Sequence, residues 1–378
     1  MLGAVENGAY ANLTLPALLT ERGITGRDAA FATELAYGTI RMRGQYDAVV
    51  AQTTDRDSID PAVMDVIRLG LHQIATLRVP DHAAVAATVA IAREAIGVGP
   101  AGFVNAILRA VTEGPYEALL EAAAPAADES VDALAIRYSH PAWVVRALRQ
   151  ALIACGRDSA DLPVVLASGN TQPLVTLVAR PGLIRPEPLA EQVRARTKRP
   201  ARLGRFAPTA VIMERGAPGE LLAVRHGQAG VQDEGSQLVA WALAEAPVPD
   251  DQGAWLDLCA GPGGKAALLG GIVQQRGGHL TANEPQPHRA ELVRGAVKQL
   301  GEAVSVTELD GREVEGEYDR VLVDAPCTGL GALRRRPEAR WRHAPADLAT
   351  LGPLQRELLT AAITATRPGG IVAYTVCS

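Results

Sequence analysis

Two cysteines, one aspartate, one glutamate and a glycine-rich turn are the residues of this 378-residue sequence best suited to chemistry. Cys327 stands in VDAPCTGLG (Val323 to Gly331) and Cys377 in YTVCS (Tyr374 to Ser378), each just beyond a short β-rich run. A thiol placed there can add to a substrate and split one difficult step into two easier ones. Asp324, three residues before Cys327, can offer a hydrogen bond or a proton to a substrate ring, or can simply cap its loop. LDLCAGPGGKA, Leu256 to Ala266, lets the backbone turn at Gly261, Gly263 and Gly264 and approach a ligand before a helix starts near Lys265. It is not a phosphate-binding P-loop, because Ala266 follows the lysine, and its glycines do not match the dinucleotide spacing. Glu284 ends the next strand about 20 residues on, where a ribose hydroxyl is bound in dinucleotide folds. A nucleoside without a pyrophosphate fits both facts, and a helix-capping acid ahead of Pro285 is the plainer alternative for Glu284. Isolated cysteines are usually small buried hydrophobes, a reading that suits Cys155 well and Cys259 in part.

These residues need a sheet to hold them. Trp255 to Cys259, His279 to Asn283, Val304 to Leu309, Arg320 to Asp324 and Ile371 to Val376 are short β-rich runs with helical stretches between most of them. That alternation predicts a doubly wound parallel sheet whose loops share one carboxyl edge, where such sheets bind ligands. The first part of the chain is different. Asp60 can cap a helix opened by Pro61, with Val63, Ile67, Leu71, Ile74 and then Leu77 or Arg78 forming one buried stripe. A second helix, Ala83 to Ile96, ends in the breakers Gly97, Gly99 and Pro100, and a third runs from Phe103 to Val111, which together predict an all-α bundle. Glu113 to Val131 reads as a linker or a poorly packed helix hairpin. In the middle, His140 to Cys155 is helical in period, and Leu174 to Gly182 alternates like a strand.

Composition narrows the class. The sequence is 48% hydrophobic and 21% charged, as in ordinary globular proteins. Its longest apolar run, Ala83 to Ala92 apart from Thr88, is half of what a bilayer span needs, and Glu6 stands where a secretory signal would be basic. Four dispersed cysteines suggest neither disulfides nor a metal site, so a reducing cytoplasm is the expected home. The net charge of -5 is uneven. Residues 1–132 carry 9 basic and 17 acidic side chains, 133–230 carry 14 and 6, and 231–378 carry 14 and 19. Arg194, Arg196, Lys198, Arg199, Arg202 and Arg205 dominate the basic middle, part of it kept in a loop by Pro200 and Gly204, and no Phe or Tyr interleaves them before Phe206. Phosphate contact therefore suits this cluster better than base stacking, a solvated basic face being the alternative.

LDLCAGPGGKA, DAPCTGLGALRRRPEARWR, YTVCS and VQDEGSQLVAWAL (from Val231) resemble the signature set of RNA cytosine-5 methyltransferases related to the bacterial ribosomal RNA methyltransferase B and the nucleolar NOL1/NOP2/Sun proteins. RDAAFATELAYGTIRMRGQYD and GFVNAILRAV resemble the NusB-like helical domain that precedes the catalytic domain in the ribosomal branch. The resemblance implies a multidomain chain: an all-α NusB-like RNA-binding bundle over 1–125, a basic linker and small α+β RNA-binding domain over 126–230, and a Rossmann-like α/β methyltransferase sheet over 231–378. It implies S-adenosylmethionine as methyl donor, held by Cys259, Ala260, Gly261, Pro262, Gly263, Gly264 and Lys265, with Glu284 on the ribose and Asp310 and Asp324 completing the pocket. It assigns Cys377 as nucleophile, Cys327 to product release and Asp324 to the base at N3, and it makes the run Arg334, Arg335 and Arg336 RNA-facing.

The reading that follows is C5 methylation of a cytosine in small-subunit (16S) ribosomal RNA by a cytoplasmic monomer, with ribosomal RNA as partner and neither metal nor membrane. Methylation of another RNA such as tRNA is the nearest alternative. A DNA cytosine methyltransferase would instead use the Pro326–Cys327 pair as nucleophile, and a non-catalytic RNA-binding assembly factor would keep only the fold. Family members continue past the last motif with two more strands and a helix, so the expectation is a piece of a longer enzyme, starting inside its first helix and leaving the fifth strand at an open edge.

Overall fold

The computed structural model describes residues 1–77, 79–214 and 216–377; the expectations that touch Arg78 and Ser378 lie outside them. By its contacts the chain divides into two compact units, 1–172 with 328–345, and 173–327 with 346–377.

The first unit is helical. Asp60 Oδ1 accepts from the backbone N–H groups of Ala62 (2.9 Å) and Val63 (3.4 Å), which starts the helix Pro61–Ala75. Its stripe of Val63, Ile67 and Leu71 is buried, each side chain contributing roughly 1.5–3 kcal/mol. It packs with the helices Asp81–Ala95 and Val98–Val111 around Val104 and Leu108. Gly97 does end the second of these three helices, but Gly99 and Pro100 lie in the first turn of the third. The first turn of a helix tolerates proline because its N–H groups have no intrahelical partner there. The expected linker contains a helix, Tyr116–Ala123, whose Tyr116, Leu119 and Leu120 pack on the same core.

Segment 328–345 joins this unit. Arg340, fully buried, donates to the carbonyls of Ser139 (2.8 Å), Gly169 (3.2 Å) and Arg41 (3.3 Å) and to Asn170 Oδ1 (2.8 Å). Burial and the nearby Arg41 push its pKa down to about 9. Trp341 Nε1 donates to the Ile40 carbonyl at 2.8 Å.

Among the described residues the second unit holds nine strands: β1 (Val175–Ala179), β2 (Ala201–Leu203), β3 (Ala210–Met213), β4 (Ala229–Val231), β5 (Ala254–Asp257), β6 (His279–Asn283), β7 (Val304–Thr307), β8 (Tyr318–Asp324) and β9 (Thr366–Thr375). The first four form an antiparallel sheet in the order β2-β3-β1-β4, and the rest a parallel sheet in the order β7-β6-β5-β8-β9. Its register sets Trp255 beside Leu280 and Arg320, and Asp324 beside Thr375. Leu256, Leu280, Val321 and Leu322 are inaccessible, as expected of strands covered on both faces. Helix Gly264–Gln275 buries Leu268, Leu269 and Val273 against it. Strand β9 is an edge of the five-stranded sheet, as the family strand order predicts.

Candidate active site

The carboxyl ends of β5, β6, β8 and β9 gather most of the expected site residues. After β5 the chain passes through Leu258 to Gly263 and enters the helix Gly264–Gln275. Gly263 is in a left-handed conformation (φ +102°), and a Cβ there would lie 2.7 Å from that of Ala296. Gly261 is required for a different reason. A Cβ on it would stand 2.0 Å from Glu284 Oε2, so this turn accepts the carboxylate only because the side chain is missing.

Glu284 is 2% exposed. Its Oε1 accepts from the Gln286 N–H at 3.0 Å, and its Oε2 is 3.3 Å from Arg289 Nη1. Arg289 also donates to the Gly261 carbonyl at 2.9 Å. The carboxylate thus accepts from a local backbone N–H and at the same time faces the glycine turn.

Lys265 Nζ lies 2.7 Å from Asp324 Oδ2, joining the start of the helix after β5 to the end of β8. Beneath them sits Asp257, which sequence reasoning passed over. It is 1% exposed, no side chain hydrogen-bonds either oxygen, and burial pushes its pKa up to about 7. Lys265 opposes that rise, whereas Asp324 and Glu284 add to it. Asn283 is the second residue missed. Fully buried, it donates to the carbonyls of Leu258 (3.3 Å) and Leu309 (3.0 Å) and accepts from Thr307 Oγ1 (2.8 Å) and the Leu309 N–H (3.0 Å). One amide thereby fixes the loops after β5 and β7. An amide at the last position of a short strand, directly before Glu284, is the signal that could have revealed it.

Cys327 and Cys377 come together, Sγ to Sγ 3.1 Å, because Ala325 N–H donates to the Thr375 carbonyl and draws the ends of β8 and β9 into register. The other two cysteines differ. Burial and Asp257 raise the Cys259 thiol to about 12, which leaves it protonated and inert. Cys155 is exposed beyond helix Ala142–Ala154, contrary to the buried position expected for it, because it follows the last turn and covers no core.

Asp310 follows β7, one residue beyond the Leu309 that Asn283 holds. Arg312 engages it on an exposed turn and lowers its pKa to about 2. The basic cluster belongs to the antiparallel sheet. Arg194 and Arg196 lie on helix Pro186–Thr197, Lys198 is its left-handed cap, and Arg202 lies on β2. Lys198, Arg199 and Arg205 lie outside helix and strand, on either side of β2, so part of the cluster is in loops as expected. Arg194 donates to the Ala201 carbonyl, and Arg196 pairs with Glu220 at 2.9 Å. Arg334, Arg335 and Arg336 belong to the first unit, with Arg336 6.0 Å over the Tyr10 ring. Among the described residues no cluster of histidine, cysteine or carboxylate side chains is placed to hold a metal ion, and no helix is long and apolar enough to cross a membrane.

Residues 242–378 match the family described as 16S rRNA methyltransferase RsmB/F, and residues 1–113 match the NusB family. A Mycobacterium tuberculosis protein named as a methyltransferase is 52% identical over 375 residues, covering 98% of this chain and 80% of that protein. Ribosomal RNA small subunit methyltransferase B of Klebsiella pneumoniae is 31% identical over 390 residues, covering 99% and 83%. The chain belongs to the ribosomal RNA small subunit methyltransferase B family. Members of the RsmB family are RNA methyltransferases, and this chain has their helical NusB region ahead of a Rossmann-like sheet. The crystal structure of PH0851 shares the fold, with TM-score 0.77 at 21% identity over 95% of this chain and 80% of that one. That of NSun6 from Pyrococcus horikoshii with SFG, an analogue of S-adenosylmethionine, has TM-score 0.52 at 17% identity over 62% and 82%.

Proposed function

We propose that this chain methylates C5 of a cytosine in small-subunit ribosomal RNA with S-adenosylmethionine as donor, through a covalent adduct at Cys377. The observation that carries the reading is the pair of thiols 3.1 Å apart at the ends of adjacent strands, with Asp324 ending the first of those strands. Two thiols on one substrate ring suit a reaction that must both form and break a carbon–sulfur bond.

The residues fit S-adenosylmethionine. Gly261 and Gly263 keep the turn open, Glu284 faces it, and Gln232 near Gly264 has a buried Oε1 without a partner. Cys259, Ala260, Gly261, Pro262, Gly263, Gly264 and Lys265 would hold the methionine and nucleoside moieties, Glu284 the ribose, and Asp310 and Asp324 the remainder. When bound, it supplies an electrophilic methyl group on a sulfonium.

Cys377 adds to C6 as a thiolate, forming the S–C6 bond and shifting electron density to C5 and N3. Asp324 stabilises the ring at N3 as charge moves into it, and Lys265 fixes the carboxyl group in place. Once C5 carries the methyl group, the C5 proton passes to the Cys327 sulfur, and the electron pair it leaves re-forms the C5–C6 double bond as the S–C6 bond breaks and Cys377 departs as thiolate. The target base must leave its stack to reach these groups. We assign RNA contact to the helical region 1–125 and the basic region 126–230, catalysis to 231–378, and the work of the enzyme to a cytoplasmic monomer. Beyond the six basic residues of the middle region, the exposed side chains of Arg334 and Arg336 and the half-exposed Arg335 are placed on the RNA as well.

The test compares Cys377→Ala and Cys327→Ala on 16S ribosomal RNA. Cys377→Ala should abolish methyl transfer and form no adduct, while Cys327→Ala should accumulate a protein–RNA complex that survives a denaturing gel. The reverse pattern would transfer the nucleophile to Cys327.

A further inference from the structure

The first unit contains a cavity of about 540 Å³ that the methyl-transfer chemistry does not use. Helix residues Thr39 and Ile40 line it together with Glu338, Trp341 and Arg342 of segment 328–345. The volume is in the range of small-molecule sites. Two of the lining residues are in an unusual state. Glu338 is 3% exposed with neither carboxylate oxygen hydrogen-bonded, and Thr39, 1% exposed, has a hydroxyl without a partner. Buried carboxylates ordinarily find donors, because an unpartnered one is costly.

The other charges around the cavity already have partners. Arg68 pairs with Glu6, Asp47 and Asp65, and Arg43 lies 3.2 Å from Glu6. The need at Glu338 is therefore for adjacent N–H donors on a flat, largely apolar body rather than for one more cation. Guanine has that chemistry: its N1–H and N2 amine form a bidentate edge matched to a carboxylate. Ile40 and Trp341 supply apolar wall. Arg342, which donates to the Gly8 and Ala9 carbonyls and lies 4.3 Å over the Tyr10 ring, places a guanidinium at the cavity for a phosphate.

We propose that this cavity is a guanine-binding site in which Glu338 reads the N1–H and N2 edge and Thr39 makes a further hydrogen bond. The guanine can come from single-stranded RNA or from a free nucleotide, and both present the same edge.

The test is calorimetric titration of the whole chain with GMP, IMP and AMP, and with a short single-stranded RNA carrying one guanosine or one inosine among uridines. GMP or the guanosine RNA should bind at least about tenfold more tightly than the inosine counterpart, which lacks the N2 amine. Binding of GMP alone assigns the site to a free nucleotide, and discrimination in the oligonucleotide assigns it to RNA. Glu338→Gln keeps the shape and removes a buried charge, so its melting temperature should not fall while the guanine preference disappears. Thr39→Val provides a second variant, expected to weaken binding without abolishing the preference. The proposal is overturned if neither guanine ligand saturates, if guanine and inosine bind equally, or if Glu338→Gln keeps the preference.

Discussion

Lys265 and Asp324 stand 2.7 Å apart, so the turn after β5 and the end of β8 are tied by one ion pair between half-buried side chains. Lys265 is also the cation that restrains the rise of the Asp257 pKa. Replacing it with methionine leaves Asp324 and Asp257 facing each other without compensation. Lys265→Met should lower the melting temperature, at a cost of about 1–3 kcal/mol. It should also slow single-turnover methyl transfer by tenfold or more, about the same free energy. Rates and melting curves on the same preparation check both. An unchanged rate would reduce the pair to a structural tie.

Asp257 makes stability depend on pH in a defined direction. Its folded pKa, about 7, lies above the ordinary carboxylate value near 3.9, so the folded state binds the extra proton. The resulting stabilisation is complete below about pH 4 and is lost as pH rises through 7. Asp257→Asn removes this dependence. Relative to the parent, its melting temperature should rise at pH 8 and change little at pH 4.5, as a scanning-fluorimetry pH series would reveal.

Asn283 should be intolerant of change. Asn283→Ala strips partners from the Leu258 and Leu309 carbonyls and from the Leu309 N–H, and should destabilise the second unit by roughly 2–4 kcal/mol. Because the loops it fixes include the glycine turn, affinity for S-adenosylmethionine should fall with it. Chemical denaturation and calorimetry measure the two effects.

The basic cluster offers fewer available charges than its sequence count. Arg194 is engaged with a carbonyl and Arg196 with Glu220. Neutralising Lys198, Arg199, Arg202 and Arg205 together should reduce the slope of log affinity against log salt by up to about 3 for single-stranded RNA. Neutralising Arg194 and Arg196 should change it much less. Filter binding over a salt series separates these outcomes, and equal slopes for both variants would mark the cluster as a solvated face.

The glycine turn, the Asp60 cap and the places of the parallel strands along the chain were legible because each rests on local chemistry: a φ only glycine takes readily, an oxygen two residues before a free N–H, a run of apolar residues. Arg340 was not legible. In RRRPEARWR it is one more arginine of a basic run, and only contacts with Ser139, Gly169 and Asn170, distant in sequence, reveal that it is interior. Asn283 and Asp257 were hidden for the same reason, since their roles depend on which loops the sheet brings beside them. The proximity of Cys327 and Cys377 was half legible: both were expected at strand ends on one edge, but their contact depends on the register of β8 and β9.

The burial of Arg340 also sets an order in time. Its partner carbonyl at Ser139 precedes it by 201 residues, and Trp341 follows its acceptor Ile40 by 301. At ~5–20 residues per second a ribosome needs roughly 10–40 s to travel from Ser139 to Arg340. During that interval the amino-terminal helices are outside the ribosome without the side chains that complete their interior, and β5 to β8 are synthesised first. The nascent helical unit is therefore finished by a segment made after most of the second unit, and the chain cannot mature strictly from its amino end to its carboxyl end.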